Sequence, residues 1–368
     1  MLHRRSVLMA AAASIASGCV PRASLSAALE RSDTSLRLVS AANPHVFPLM
    51  LALALEPDLP WSFSPIKESA EIDSMFRTGE ADAFLGMTYI GAKKQLAAPD
   101  LGLRLVSINT WRGFFEVVPR DIRSFAELRG HKVIVSGPMG SGRNGGGDII
   151  FQAAVRRANL DPGRDLEVAY MPAKAGIAQV AAGQAAGITI PSPGSTGMVM
   201  RSRMGSEGGS NIALSAIDMQ AMFTGFRSFD EGQLPIGGLH TSEQVLQTPP
   251  RRSALLRVFD AYERACEALM REPERLAPMA IDQYGKHLAP IGATAPPAML
   301  LARAIRANEL VYRTGVPAAG IRADVSAFLN ELLGGLKAMG GQGRLRQLRF
   351  LNEPVAHMGA ETGNVRAI

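Results

Sequence analysis

GPMGSGRNGGGD, residues Gly137 to Asp148, follows the apolar run HKVIVS and precedes the helix-like run DIIFQAAVRRANL. From Gly140 it spells G-S-G-R-N-G, a literal G-x-G-x-x-G, the spacing in which a helix N-terminus approaches a dinucleotide pyrophosphate. Three details speak against a dinucleotide. The turn begins at Gly137-Pro138, before the matching hexad, so the glycines are out of register with the strand end. The acid expected further on would be Asp165 or Glu167, which open the strand-like LEVAYMP, whereas ribose recognition needs an acid at a strand's end. The chain also opens on what reads as an export signal, and little NAD is supplied outside the cytoplasm. A P-loop fits worse, because Arg143 and Asn144 stand where it needs lysine and a hydroxyl. Two readings stay open. One is a surface loop without a ligand. The other is a cradle for a carboxylate or sulfonate, in which Gly142 lets backbone N–H groups approach, Ser141 and Asn144 add hydrogen bonds, and Arg143 adds charge.

Outward from this loop the chain alternates. SLRLVSAAN reads as a strand entering a turn, VFPLMLALALEP as a helix stopped near Pro57, and WSFSPIKES as a second strand. EIDSMFRTGEADAFLGMTY gives helix, turn and strand, and LRLVSINTWRGFFEVVP two further strands. A second cycle follows: SFAELRG as a short helix capped by Ser124 and Glu127, HKVIVSG as a strand, DIIFQAAVRRANL as a helix, LEVAYMP as a strand. TGEADAFLGM and AGQAAGITIP repeat one helix–glycine–strand layout. Two similar α/β lobes follow from this repetition. IALSAIDM and LPIGGLHTSEQVL read as strands and loops returning to the first lobe. The helices SALLRVFDAYERACEALMRE, PPAMLLARAIRANELVYRTG and VSAFLNELLGGLKAMG are expected to pack on it.

The composition of the 368 residues is that of a globular protein with a large core, 47% hydrophobic and 20% charged. A net charge of +6 without a basic run excludes an obvious nucleic-acid surface. Two cysteines, Cys19 and Cys266, are too few for a disulfide framework or a cysteine zinc site. MLHRRSVLMAAAASIASGC has a basic start with paired arginines, a short apolar stretch and small residues. It reads as an export signal over 1–19, and Ala16-Ser17-Gly18-Cys19 reads as a lipidation box. Residues 20–34 then form a tether; cleavage beyond Cys19, which would discard it, is the alternative. No later run reaches about 18 uninterrupted apolar residues, so none is long enough to span a bilayer. The chain lacks H-E-x-x-H, C-x-x-C and G-x-S-x-G, and its histidines are dispersed. Neither an enzyme nor a bound metal or cofactor is expected.

Export signal, two α/β lobes and helical return together resemble type II periplasmic solute-binding proteins. SFAELRGHKVIVSG resembles the opening of their second lobe. ANLDPGRDLEVAYMP, the repeated G-(E/Q)-A turns and LHTSEQVLQTPPRRSALLRVFDAYERACEALMREPERLAPM resemble the nitrate/sulfonate/taurine subgroup that serves ABC importers. The likeness spans roughly 35–333. It departs at Gly183-Gln184-Ala185-Ala186-Gly187 and Pro191-Ser192-Pro193, which puts the subgroup's usual ligand in question. The glycine turn also resembles solute receptors of TRAP transporters, while the cysteine-rich iron motif of thiamine-pyrimidine synthases on this fold is missing.

The resemblance implies an α/β, two-lobed fold with mixed, mostly parallel sheets: lobe one from 35–120 and 211–350, lobe two from 121–210. Crossings are expected near Val117–Arg120 and Asn211–Ser215. It implies a ligand held between the lobes by loops at the carboxyl ends of strands. Those loops carry Asn43, His45 and Phe47; Thr88 and Tyr89; Ser136, Ser141, Gly142, Arg143 and Asn144; and Ser195. Phe47 and Tyr89 are the candidates for stacking on an organic ligand. It further implies a monomer outside the cytoplasm, capturing a small organic anion for ABC permease and ATPase subunits, with Cys19 as membrane anchor. A TRAP receptor, a sensor subunit and an exported enzyme on the same scaffold are the alternatives.

Overall fold

The computed structural model describes residues 35–137, 142–204, 212–227, 229–230, 232–314 and 318–334. The expected export signal, Cys19, the tether, Ser141 and 335–350 lie outside the described residues. Among those described, no helix is long and apolar enough to cross a membrane.

Two sheets carry the fold. In the first, β1 (Leu36–Ala41) lies parallel to β2 (Trp61–Ile66) and β3 (Ala83–Met87). Next to β3 comes the antiparallel β10 (Gly237–Ser242), then β4 (Leu103–Arg112) and the two-residue β11 (Val311–Tyr312). In the second, β6 (Lys132–Gly137) lies parallel to β7 (Glu167–Pro172) and β8 (Gly187–Pro191). Antiparallel β5 (Phe114–Pro119) and β9 (Leu214–Asp218) complete it. Both sheets are mixed: each has a parallel βαβ nucleus, and the returning strands join it antiparallel.

α1 (Val46–Leu55) is apolar on every side, and Val46 to Ala52 are all buried. A helix of that kind needs cover all round. The sheet supplies one side, while α8 (Pro249–Arg271) and α9 (Pro273–Leu288) supply the rest. α2 (Glu71–Thr78) sends Ile72 into a smaller core with Val39, Ile66 and Phe84. The chain turns directly from β3 into α3 (Thr88–Ala97), a helix the sequence pattern did not reveal. In the second unit α4 (Gly146–Arg157), α5 (Ala173–Ala181) and α6 (Gly194–Met204) follow β6, β7 and β8. The expected helix over SFAELRG is a single 3-10 turn, Phe125–Leu128. α7 (Glu243–Gln247) and α10 (Ala298–Arg306) belong to the helical return. α10 stops earlier than its amphipathic pattern predicts, because Asn308 adopts a left-handed φ of 56° and the chain re-enters the first sheet as β11. The last helix, α11 (Ala318–Gly334), touches both α3 and α4 and so packs against both units.

The crossings differ from the expected ones. The chain leaves the first sheet at Gly113, a single residue between β4 and β5, and returns through 219–236. The stretches 114–119 and 214–218 therefore build the second sheet rather than lobe one. The apolar run over 103–119 conceals this break, which only its glycine marks. Gln220, fully buried, holds the crossing: its Oε1 accepts from the N–H of Gly113 (3.1 Å) and of Phe114 (2.6 Å), and its Nε2 donates to the Phe114 carbonyl (2.6 Å).

Glu116, on β5, is buried, and among the described residues no cation pairs with it. Thr189 donates to its Oε2 at 2.6 Å, and the carboxyl fits because Gly187 has no side chain: a Cβ there would lie 2.4 Å from Oε1. Burial pushes the Glu116 carboxyl well above the usual carboxylate range. A raised folded-state value means that its contribution is fully present below the unfolded value and lost as pH rises toward the folded one. Glu116→Gln should therefore gain stability relative to the parent as pH rises above that range. Urea midpoints measured from pH 5 to pH 8 check it; a parent–variant difference that stays flat with pH would refute it.

Candidate functional site

One edge of each sheet gathers the loops that face each other. On the first sheet these are the ends of β1, β3 and β4 and the start of β10, since β10 runs antiparallel. On the second they are the ends of β6, β7 and β8 and the start of β5. Ligands of open α/β sheets bind at such carboxyl edges.

On lobe one, Asn43 is half-buried and closes a local turn, its Oδ1 accepting from the His45 N–H at 3.0 Å. The Pro44 and His45 carbonyls are held from behind by two phenols, Tyr312 Oη donating to Pro44 at 2.6 Å and Tyr262 Oη to His45 at 3.1 Å. Four of the expected ligand contacts are packed away instead. The His45 ring has no exposed surface and lies against Gly237, where a Cβ would come within 2.1 Å of Nδ1. Burial, with His240 nearby, pushes its pKa down to about 3, so the ring is neutral near pH 7. Phe47, the second residue of α1, points into the core and stacks on Tyr284 with centroids 5.1 Å apart. Tyr89 is fully buried and donates across the lobes to the Gly146 carbonyl at 2.7 Å. Its ring is a lobe-to-lobe contact and offers no face for stacking. Thr88 likewise spends its hydroxyl on the Pro235 carbonyl.

On lobe two, Ser136 lies nearly buried at the end of β6. Gly142 accepts from the Gly145 N–H at 2.7 Å, and Asn144 adopts a left-handed φ of 65°. The exposed Arg143 lays its guanidinium over the Tyr170 ring, 5.1 Å from the centroid. Ser195 Oγ lies 2.9 Å from Ser192 Oγ, both buried.

The start of α4 carries an acid to which the sequence reading assigns no role. Asp148 is fully buried in the helix's first turn. Its Oδ2 accepts from the Asn144 N–H at 2.6 Å, and its Oδ1 accepts from Gln152 Nε2 (2.9 Å) and Tyr170 Oη (3.0 Å). The negative charge that a helix N-terminus favours is thus supplied by the chain itself. The Asn144 N–H is engaged by this carboxylate. Burial and the Asp148 charge push Tyr170 up to about 12, which keeps its hydroxyl a donor. The sequence did carry a signal for this: an acid three residues after Gly145 sits where a capping carboxylate reaches back. Arg143 is what this loop still presents to solvent as charge. Among the described residues no group of three His, Cys, Asp or Glu could hold a metal ion.

No family model and no curated protein matches this chain. Solved structures do. The periplasmic aliphatic sulphonate-binding protein SsuA from Escherichia coli matches over 86% of this chain and 92% of its own, at 14% identity and a TM-score of 0.60. The periplasmic nitrate-binding protein NrtA from Synechocystis PCC 6803 matches over 90% of each chain, at 12% identity and a TM-score of 0.61. The alkanesulfonate-binding protein SsuA from Xanthomonas axonopodis pv. citri, bound to MOPS, matches over 88% of this chain and 97% of its own, at 14% identity and a TM-score of 0.56. At these identities the likeness is one of fold. The chain has the two-lobed fold of periplasmic binding proteins.

Asp148→Asn keeps the shape and removes the charge that three donors share. The variant should lose about 1–3 kcal/mol of stability, the range for a hydrogen bond to a charged group, as read from urea unfolding. An unchanged midpoint would mean that the carboxylate is not what braces the turn before α4.

Proposed function

We propose that this chain is the extracytoplasmic solute-binding component of an ABC-type importer and captures a small organic anion between its lobes without transforming it. The observation that carries this reading is the convergence of Asn43, Ser136, Arg143, Ser192 and Ser195 at the facing carboxyl edges of two sheets. That wall is rich in hydroxyl and amide groups and carries the exposed Arg143, which suits an anion with a small organic body. The likeness in fold to proteins named for sulfonate and nitrate binding supports the class of ligand. Asp148 changes how the anion would be held. With a buried carboxylate already in the first turn of α4, Arg143 and the hydroxyls are the groups we assign to the anion.

A thermal-shift screen with nitrate, methanesulfonate, taurine and short carboxylates tests this. A compound at 100 times its dissociation constant adds about 2.7 kcal/mol, a shift easily read for a protein of this size. Arg143→Gln should weaken the response to whichever anion stabilises the parent. No response to any of them would remove the substrate class, and turnover of a bound compound by metal-free protein would remove the non-enzymatic role.

The same reading places the mature protein at a membrane surface through Cys19. A new N-terminal cysteine accepts diacylglycerol, and acyl chains contribute about 0.8 kcal/mol per buried CH₂, so several together anchor stably. Mass spectrometry of the native N-terminus should find an acylated Cys19. A free terminus beyond 19 would leave a released protein instead, with the binding role untouched.

A further inference from the structure

Lobe one reaches across to lobe two at a polar contact that no sequence motif marks. Around the first turn of α6, Ser192, Ser195 and Thr196 are all buried, and Ser192 Oγ lies 2.9 Å from Ser195 Oγ and 3.4 Å from Thr196 Oγ1. The Thr196 hydroxyl donates to the carboxylate of Glu309. Glu309 belongs to lobe one, between α10 and β11. Its place is set by the backbone: the Asn308 N–H donates to the Ile305 carbonyl (3.0 Å) and the Glu309 N–H to the Ala304 carbonyl (2.8 Å). Those are the paired bonds of a Schellman termination, made around the left-handed Asn308. The carboxylate is therefore carried on a fixed turn. Beside it α6 and α10 approach closely, for a Cβ on Gly197 would lie 2.8 Å from Leu300 Cδ1.

We propose that Glu309 is a tethered latch: its carboxylate holds the lobes together by engaging Thr196 at the start of α6, and an anion entering the cleft competes for that hydroxyl cluster. The competition rests on the anion-binding reading above; the latch does not. A hydroxyl-to-carboxylate bond is charge-assisted, roughly twice as strong as a neutral one, and Thr196 is only 4% exposed, so little water competes for it. The N-terminal end of α6 adds attraction for the same charge. Glu309 thus stands where a ligand's anionic group would gain most. It favours closure when no such group is present and raises the affinity that a ligand needs.

Small-angle scattering of the full chain tests the latch, comparing the parent with Glu309→Gln, Glu309→Lys and Thr196→Val, each with a urea midpoint to show that it is folded. Glu309→Lys and Thr196→Val should expand, the first by placing like charge at a helix N-terminus and the second by removing the hydroxyl. Glu309→Gln, which keeps a hydrogen bond, should stay close to the parent. Methanesulfonate and nitrate titrations should show about tenfold tighter binding to Glu309→Gln, the size of one charge-assisted contact no longer competing. An unchanged scattering profile in folded Glu309→Lys or Thr196→Val overturns the latch. Expansion with equal anion affinity in Glu309→Gln and the parent overturns the competition. If scattering responds but neither anion stabilises either chain, it is the anion reading that fails.

Discussion

A single residue, Gly113, separates the last strand of one sheet from the first of the other, and the orientation of the two lobes depends on how that residue is held. Strands leaving in different directions cannot satisfy each other's backbone groups, and each buried group left unpaired costs about 1–3 kcal/mol. Gln220 solves this with one side chain, pairing two N–H groups and a carbonyl of Gly113 and Phe114. The returning chain runs beside the first crossing, its Leu234 N–H donating to the Trp111 carbonyl and its Ile236 N–H to that of Thr110. Both crossings thus lie together at the edge where the ligand loops converge. A rotation there would move one wall of the cleft against the other, and the Tyr89–Gly146 and Thr196–Glu309 contacts and the packing of α11 would have to adjust with it.

The chemistry of the cleft follows from which charges are already spent. Lobe two begins α4 and α6 at the facing edge, and helix starts favour anions. Yet α4 carries the buried Asp148 in its first turn, and α6 meets Glu309 from the opposite lobe. Arg143 is not spent in this way; Tyr170 supports it from below, and Tyr170 is in turn oriented by Asp148. Selection among anions would then depend in part on the reach of the Arg143 guanidinium and on the hydroxyls of lobe two.

Much of this was legible in the sequence. The strand–helix alternation, the two repeated cycles and the glycine loop between β6 and α4 gave the two-lobed α/β fold, because period and turn chemistry are local properties. What failed was non-local. LRLVSINTWRGFFEVVP shows two strands, but nothing in it says that they join different sheets, and so the crossing was placed some residues late. Phe47 and Tyr89 sit at strand-to-helix tips, where an aromatic can face either a cleft or a core; only packing against Tyr284 and Gly146 decides. Asp148 is legible, since its spacing from Gly145 is that of a capping acid. Glu309 was not legible, because its meaning depends on Thr196, distant in sequence and on another lobe.

The central claim is that two lobes joined at Gly113 close around a small solute. Spin labels at Lys67→Cys and Lys174→Cys, both exposed and on facing edges, measure this directly. The buried Cys266 will not label, and Cys19→Ser removes the other thiol. Titrating an anion that stabilises the protein should shorten the distance between the labels toward one narrow population. A distance that is the same, and equally broad, at zero and saturating anion would contradict the account.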